Sequence, residues 1–251
     1  MTQVLLHCCC APCSSAILEW MMQHDVRPVI FYCNPNIFPE EEYLIRKNEI
    51  TRYAAELGLT IIDDDYDHEA WLSYIAGLEH EPERGSRCLE CFKYRLLRSA
   101  RKARELGIET FTTTLASSRW KRLDQINAAG HWAAAQANAA DPEPAQAAAQ
   151  ANATGSEPVQ AAAQANAADP EPARAAAQAG PLPAAGTLPA VNGGHTVRFD
   201  DRNWRKGGLQ ERRGELLRLN GFYNQQYCGC EFSLRARQEQ EAARQAQEAA
   251  H

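Results

Sequence analysis

Over the first 120 residues, short apolar blocks alternate with stretches in which apolar positions recur at helical spacing. Residues 4–7 form an apolar run, and residues 15–24 (SAILEWMMQH) follow with a 3.6-residue period and a serine able to cap them. Residues 28–32 (PVIFY) read as a second buried strand, closed by the turn-forming Asn34–Pro35–Asn36. Residues 40–57 predict a long amphipathic helix, acidic in its first turn, with Gly58 just past its end. A third strand at 60–62, a helix at 88–106 stopped by Gly107, and a fourth strand at 110–114 complete the pattern. This alternation predicts an α/β fold, a mainly parallel sheet flanked by helices and Rossmann-like in type. Ligands of such sheets collect beyond the carboxyl ends of the strands.

The pattern stops at residue 133. AAAQANA occurs at 133–139, 147–153 and 161–167, and DPEPA at 141–145 returns at 169–173, a period of 14. A stretch of Ala, Gln, Pro and Gly without large apolar side chains cannot offset its ordering entropy by burial. Residues 133–195 are therefore expected to be a functionally silent low-complexity insertion. It would divide one catalytic domain into 1–132 and 196–235, with 236–251 as a charged C-terminal tail.

Composition changes this picture in two ways. The formal charge of −6 argues against a nucleic-acid partner, but the insertion alone carries a net −4. Residues 93–122 hold nine Lys or Arg against two Glu, and 198–218 hold seven against four acids. These basic stretches suit a phosphate backbone. A solvated helix face accounts equally well for 93–106, whereas Arg119, Lys121 and Arg122 follow a strand end directly. There is no window of 18 apolar residues, and the N-terminus MTQVLLHCCC lacks a basic n-region and a long apolar stretch. A cytoplasmic location without membrane association is expected.

In a reducing cytosol, the nine cysteines are read as metal ligands before disulfides. Eight fall into three groups: Cys8, Cys9, Cys10 and Cys13 at a strand-to-helix turn, Cys88 with Cys91 opening a helix, and Cys228–Gly229–Cys230. A three-residue spacing puts Cys88 and Cys91 on one helix face. Neither a two-CxxC zinc ribbon nor a ferredoxin spacing is present, and about seven thiols exceed the need of one structural zinc. More than one metal centre is the economical inference. Strand alternation turns Cys8 away from Cys9, and Cys33 reads as a buried apolar side chain. His7 reads first as a packed, hydrogen-bonded histidine. Tyr223 and Tyr227 are either packing aromatics or platforms for a nucleobase.

HCCCAPCS, YCNPNIFPEEEYLIRKNE, GSRCLECFKYRLLRSA, FTTTLASS and FYNQQYCGCEFS resemble, in this order, the motifs of the QueH-type epoxyqueuosine reductases. The likeness covers about residues 3–127 and 197–235. Cys33 interrupts a run the family usually keeps whole, Arg119–Trp120–Lys121 replaces a commoner proline–tyrosine–lysine stretch, and the repeats have no counterpart. The resemblance implies a two-electron reduction of epoxyqueuosine to queuosine at the wobble position of tRNA, the last step in making queuosine. It implies a 4Fe–4S cluster on Cys9, Cys10, Cys88 and Cys91, and an additional mononuclear iron on Cys13, Cys228 and Cys230. Tyr223, Tyr227 and His7 become proton-donor candidates, and Arg119, Lys121, Arg122, Arg205 and Lys206 candidate phosphate contacts. The partners implied are tRNA carrying epoxyqueuosine and an electron donor such as a ferredoxin or flavodoxin.

Two rivals remain at this stage. An ATP-dependent tRNA thiolase needs a Gly/Ser-rich phosphate loop after its first strand, where this chain has CCCAPC. A non-enzymatic zinc protein that binds RNA would be colourless and hold zinc alone.

Overall fold

The run TQVLLHC forms the central strand β1 (Thr2–Cys8), buried from Val4 onward. In the computed structural model, which describes residues 2–139 and 195–249, four more strands join it: β2 (Val26–Tyr32), β3 (Ile61–Asp63), β4 (Thr110–Thr113) and β5 (Arg198–Phe199). The order is β3-β2-β1-β4-β5 and every pairing is parallel, as the alternation predicts. Leu5 lies between Val29 and Phe111, and His7 between Phe31 and Thr113. Strands covered by helices on both faces read as continuous apolar runs, which is what β1 and β2 are. Because β2 and β4 flank β1 on opposite sides, the chain crosses over in opposite directions at β1. That opens a crevice at its carboxyl end, where Cys8 is followed by Cys9 and Cys10.

The helices are α1 (Ala11–Gln23), α2 (Glu40–Glu56), α3 (His68–Tyr74), α4 (Ser86–Glu105), α5 (Leu123–Asn138), α6 (Leu209–Leu219) and α7 (Glu231–Ala249). Helix α1 starts at Ala11 and not at residue 15 as expected from the serine cap. Cys10 is its extended N-cap residue and Pro12 sits in the first turn, where a missing N–H costs nothing. The early start draws Cys13 into the helix beside Cys9 and Cys10. Helix α7 continues without a break into the expected tail and is exposed from Gln238 onward. Among the described residues no helix is long and apolar enough to cross a membrane.

The boundary expected at residue 132 is corrected. Helix α5 runs on to Asn138 and buries Ala133, Ala134 and Ala137, all from the first repeat copy. Alanine has the highest helix propensity, and here its small side chain lies in the core, so biased composition hid a packed surface. The Asn138 side chain then donates to Val197 O at 2.8 Å and accepts from Val197 N at 2.8 Å. The rest of the expected insertion, 140–194, lies outside the described residues.

Gly130 of α5 marks the tightest point of this contact, since a methyl group there would overlap the buried Phe199 ring of β5. Gly130→Ala should lower stability by about 1–3 kcal/mol, because overpacking outweighs the helix propensity gained. Thermal unfolding of the two proteins side by side measures it.

Candidate metal centre

The Sγ atoms of Cys9, Cys10 and Cys13 lie within 4.8 Å of one another, all buried. Cys9 Sγ is 3.8 Å from Cys10 Sγ, and the turn after β4 supports both ends of the group. Thr114 Oγ1 accepts from Cys9 N at 3.3 Å, and Ser117 Oγ donates to Cys13 O at 3.2 Å. Hydrogen bonds from Cys10 and Cys13 hold the Cys9 thiol well below its usual range, whereas burial drives Cys10 up. Cys13 is pushed up to about 11: the bond from Cys10 lowers it, but the bond to Cys9 and burial prevail. One thiolate is thus stabilised by two thiols, and charging all three requires a cation among them. The donor set fits a metal ion. Cys8 stands apart, as alternation predicts, with Ser14 Oγ donating to its sulfur at 3.1 Å.

A second set of thiols forms at the N-terminal end of α4 and the start of α7. Cys91 and Cys230 pack with Trp71 and Ile75. Cys88 is pushed up to about 12 by burial and by the charge of Cys228, and Cys230 up to about 11 for the same reasons. The backbone N–H of Arg84 donates to Cys88 Sγ at 3.2 Å. Cys13 therefore lies with Cys9 and Cys10, while Cys228 and Cys230 lie nearer Cys88 and Cys91. The resemblance divides the same seven residues differently. Gln225, three residues before Cys228, links the groups by reaching Cys13 Sγ at 3.7 Å.

Helix α2 holds the C-terminal pair in place. Glu42 and Arg46 sit one turn apart and form a buried ion pair at 2.6 Å. Arg46 also donates to Cys228 O at 3.3 Å and Tyr227 O at 3.4 Å, and its guanidinium lies 5.5 Å from the Tyr227 ring centroid. Glu42 accepts from the Tyr223 hydroxyl at 2.8 Å. Phe38 N donates to Gly229 O at 2.8 Å. Gly229 has φ +129°, and a Cβ there would meet Arg46 Nη1 at 3.1 Å and Ile37 Cγ1 at 3.2 Å. Only glycine fits this close approach at that backbone angle, which explains the Cys–Gly–Cys pattern.

Buried cations surround the sulfurs. Burial opposes the charge of Arg46, yet Cys10, Glu42 and Cys9 outweigh it and raise its pKa. Arg95 donates to Cys33 O at 3.2 Å and to Asn34 Oδ1, and Asn34 in turn donates to Cys8 O at 2.8 Å. Lys121 is half-buried. Burial again opposes its charge, and Cys228, Cys9 and Cys13 more than compensate. Sequence reasoning placed Lys121 on phosphate and gave Arg46 and Arg95 no role. Their signal was present, since Glu42 and Arg46 have the four-residue spacing of a helical ion pair.

The other expected site residues divide. His7 is fully buried, with Nδ1 bound to Thr113 Oγ1 at 2.8 Å and Nε2 to Cys33 O at 3.0 Å. Burial and then Arg95 lower its pKa to about 3, so it stays neutral inside the core. The Tyr227 hydroxyl donates to Phe38 O at 2.5 Å, so both tyrosine hydroxyls are committed to positioning the chain. Arg119 and Lys206 are exposed, and Arg122 is paired with Asp124 at 2.5 Å. Arg205 donates to Lys121 O at 2.7 Å and acts as a buttress. Much of the basic stretch on α4 is used internally, Arg98 by Asp64, Lys93 by Glu90 and Lys102 by Glu105.

The model of the family described as epoxyqueuosine reductase QueH matches residues 4–151 and 187–236. This chain belongs to the QueH family. The epoxyqueuosine reductase QueH of Histophilus somni is 35% identical over 233 residues, covering 93% of this chain and 72% of that protein. That of Acinetobacter baylyi is 34% identical over 93% of this chain and 81% of its own length. That of Thermotoga maritima is 26% identical over 96% and 95% respectively. The family match passes over 152–186, the middle of the repeats, and spans every motif cysteine. Membership in QueH makes the chain an oxidoreductase, and the buried Cys9, Cys10 and Cys13 give it a place for metal.

Proposed function

We propose that this chain reduces epoxyqueuosine at the tRNA wobble position to queuosine, in the cytoplasm, using a 4Fe–4S cluster and one further iron held by the seven motif cysteines. In balance, the epoxide takes two electrons and two protons, both C–O bonds break, and alkene and water form. Those metal groups, when bound, supply the electrons and a Lewis acid for the epoxide oxygen. The chain's own residues hold the thiols, exclude water and supply positive charge. Cys9, Cys10 and Cys13 sit in the crevice at the end of β1, and Arg46, Arg95 and Lys121 offset the negative charge gathered there. The charges of Cys228, Cys9 and Cys13 hold the proton on Lys121 Nζ.

The observation that carries this reading is the buried three-thiol group at the switch point of the sheet, in a chain whose match to QueH spans both halves around the repeats. Neither a thiolase nor a zinc-only RNA-binding protein is supported by that match. The test mixes anaerobically purified protein, a strong reductant and tRNA carrying epoxyqueuosine, and reads the digested nucleosides by mass. Iron-loaded protein that leaves the epoxide intact would overturn the proposal. A small redox protein such as a ferredoxin or flavodoxin is the proposed electron source.

Exposed Arg119 and Lys206 are the proposed phosphate contacts, with Arg122 joining them when its pair with Asp124 opens. Each such contact on single-stranded RNA contributes about −0.7 to the slope of log K against log salt. Lys206→Ala should flatten the measured slope by about that amount and weaken every tRNA alike.

A further inference from the structure

Trp120 is 65% exposed, on the loop that joins the turn after β4 to α5. No other Phe, Tyr or Trp among the described residues is as exposed. The loop is nevertheless held firmly. Arg84 Nε donates to Trp120 O at 2.8 Å, Arg205 Nη2 donates to Lys121 O at 2.7 Å, and Lys121 N closes onto Ser118 O at 3.3 Å. The Arg119 guanidinium lies 4.7 Å from the Trp120 ring centroid, over one face of an indole that stays mostly in solvent.

One link connects this ring to the thiols. The residue that holds Trp120 O, Arg84, also donates its backbone N–H to Cys88 Sγ at 3.2 Å. The ring thus lies one hydrogen-bonded residue away from Cys88, on a loop held by three hydrogen bonds. A large apolar surface kept in water at such a place, backed by a cation, has the form of a stacking platform for an unpaired base.

We propose that Trp120, with Arg119 behind it, stacks a base of the anticodon loop next to the wobble nucleotide, and so fixes which nucleotide enters the pocket. The inference rests on the reading of the chain as a tRNA-modifying reductase, and it adds a binding residue to those expected from the sequence. Tyr223 and Tyr227 have their hydroxyls committed to Glu42 and Phe38 O, and both are less exposed than Trp120.

The test measures binding of an anticodon stem-loop RNA to the full chain and to Trp120→Ala, Trp120→Phe and Arg119→Ala. Trp120→Ala should raise Kd roughly tenfold to a hundredfold, with the loss appearing in KM and with iron and sulfide content unchanged. Trp120→Phe should recover most of the affinity, as a packing defect or a lost hydrogen bond would not predict. RNA should quench the tryptophan fluorescence of the parent and do so less in Trp120→Phe. An unchanged Kd for Trp120→Ala overturns the proposal. So does a variant that binds RNA normally but needs more ferredoxin or flavodoxin for half-maximal rate, which would assign the ring to the protein donor. If the parent binds the stem-loop through Trp120 but leaves epoxyqueuosine intact, the reductase reading fails and this contact stands.

Discussion

Cys91→Ala should abolish visible absorbance and inorganic sulfide and cut turnover by at least about a thousandfold, the scale of losing a catalytic metal group outright. Cys91 lies on the first turns of α4, buried against Trp71 and Cys230, and the substitution leaves an alanine with no donor atom at that position. The resemblance puts Cys91 with the cluster, and Cys91 packs against Cys230. Cys13→Ala should behave differently, keeping sulfide while losing about one iron per chain, since the resemblance sets it on the other centre. Cys33→Ala is the control. What the site uses of Cys33 is its backbone oxygen, bound by His7 and Arg95, and that oxygen survives the substitution. Sulfide retained by Cys91→Ala would remove α4 from the cluster.

The second large effect is expected at Arg46. Its loss leaves the buried Glu42 carboxylate without its cation, held only by the Tyr223 hydroxyl, and frees the carbonyls of Tyr227 and Cys228. Breaking one side of a buried pair costs about 3–5 kcal/mol. Groups that orient metal ligands typically change metal affinity or activity by about 10–100-fold. Arg46→Ala should therefore unfold at lower denaturant and give up iron to a chelator far faster. Arg46→Lys keeps the charge but not the fork, and should fall between the two. The double variant Glu42→Gln with Arg46→Met distinguishes positioning from bulk stability. It removes both charges, so it should recover much of the stability while its iron stays labile. Recovery of both would show that Arg46 only supports the fold.

Much of this site is legible in the sequence because its chemistry is carried by cysteine, a residue whose clustering in a reducing compartment has few other meanings. The strands β1 and β2 and helices α2 and α4 are legible as apolar or amphipathic stretches, and the short β3 and β4 are legible from their place in the strand–helix alternation. Three things are not. The start of α1 is obscured by Pro12, which reads as a breaker until its first-turn position is known. The two-residue strand β5 is too short for any periodicity. The end of α5 is hidden because the alanines that pack in the core have the same composition as the repeats that follow. The charges near the sulfurs escape for a deeper reason. A lysine or arginine in sequence carries no mark of direction, so Lys121 and Arg46 read as surface until the loop and helix that carry them are placed against the sulfurs.

The two hydrogen bonds between Asn138 and Val197 fasten the departure and return points of the intervening chain to each other at the sheet edge. Whatever number of 14-residue units lies between them, the crevice at the other end of the sheet sees the same two fixed anchors. Closing a longer loop is entropically cheap, about 0.6 kcal/mol for a doubling, so a single added unit costs only a fraction of that. Adding or removing one repeat unit is therefore expected to leave the anchored sheet edge, and the crevice opposite it, in place.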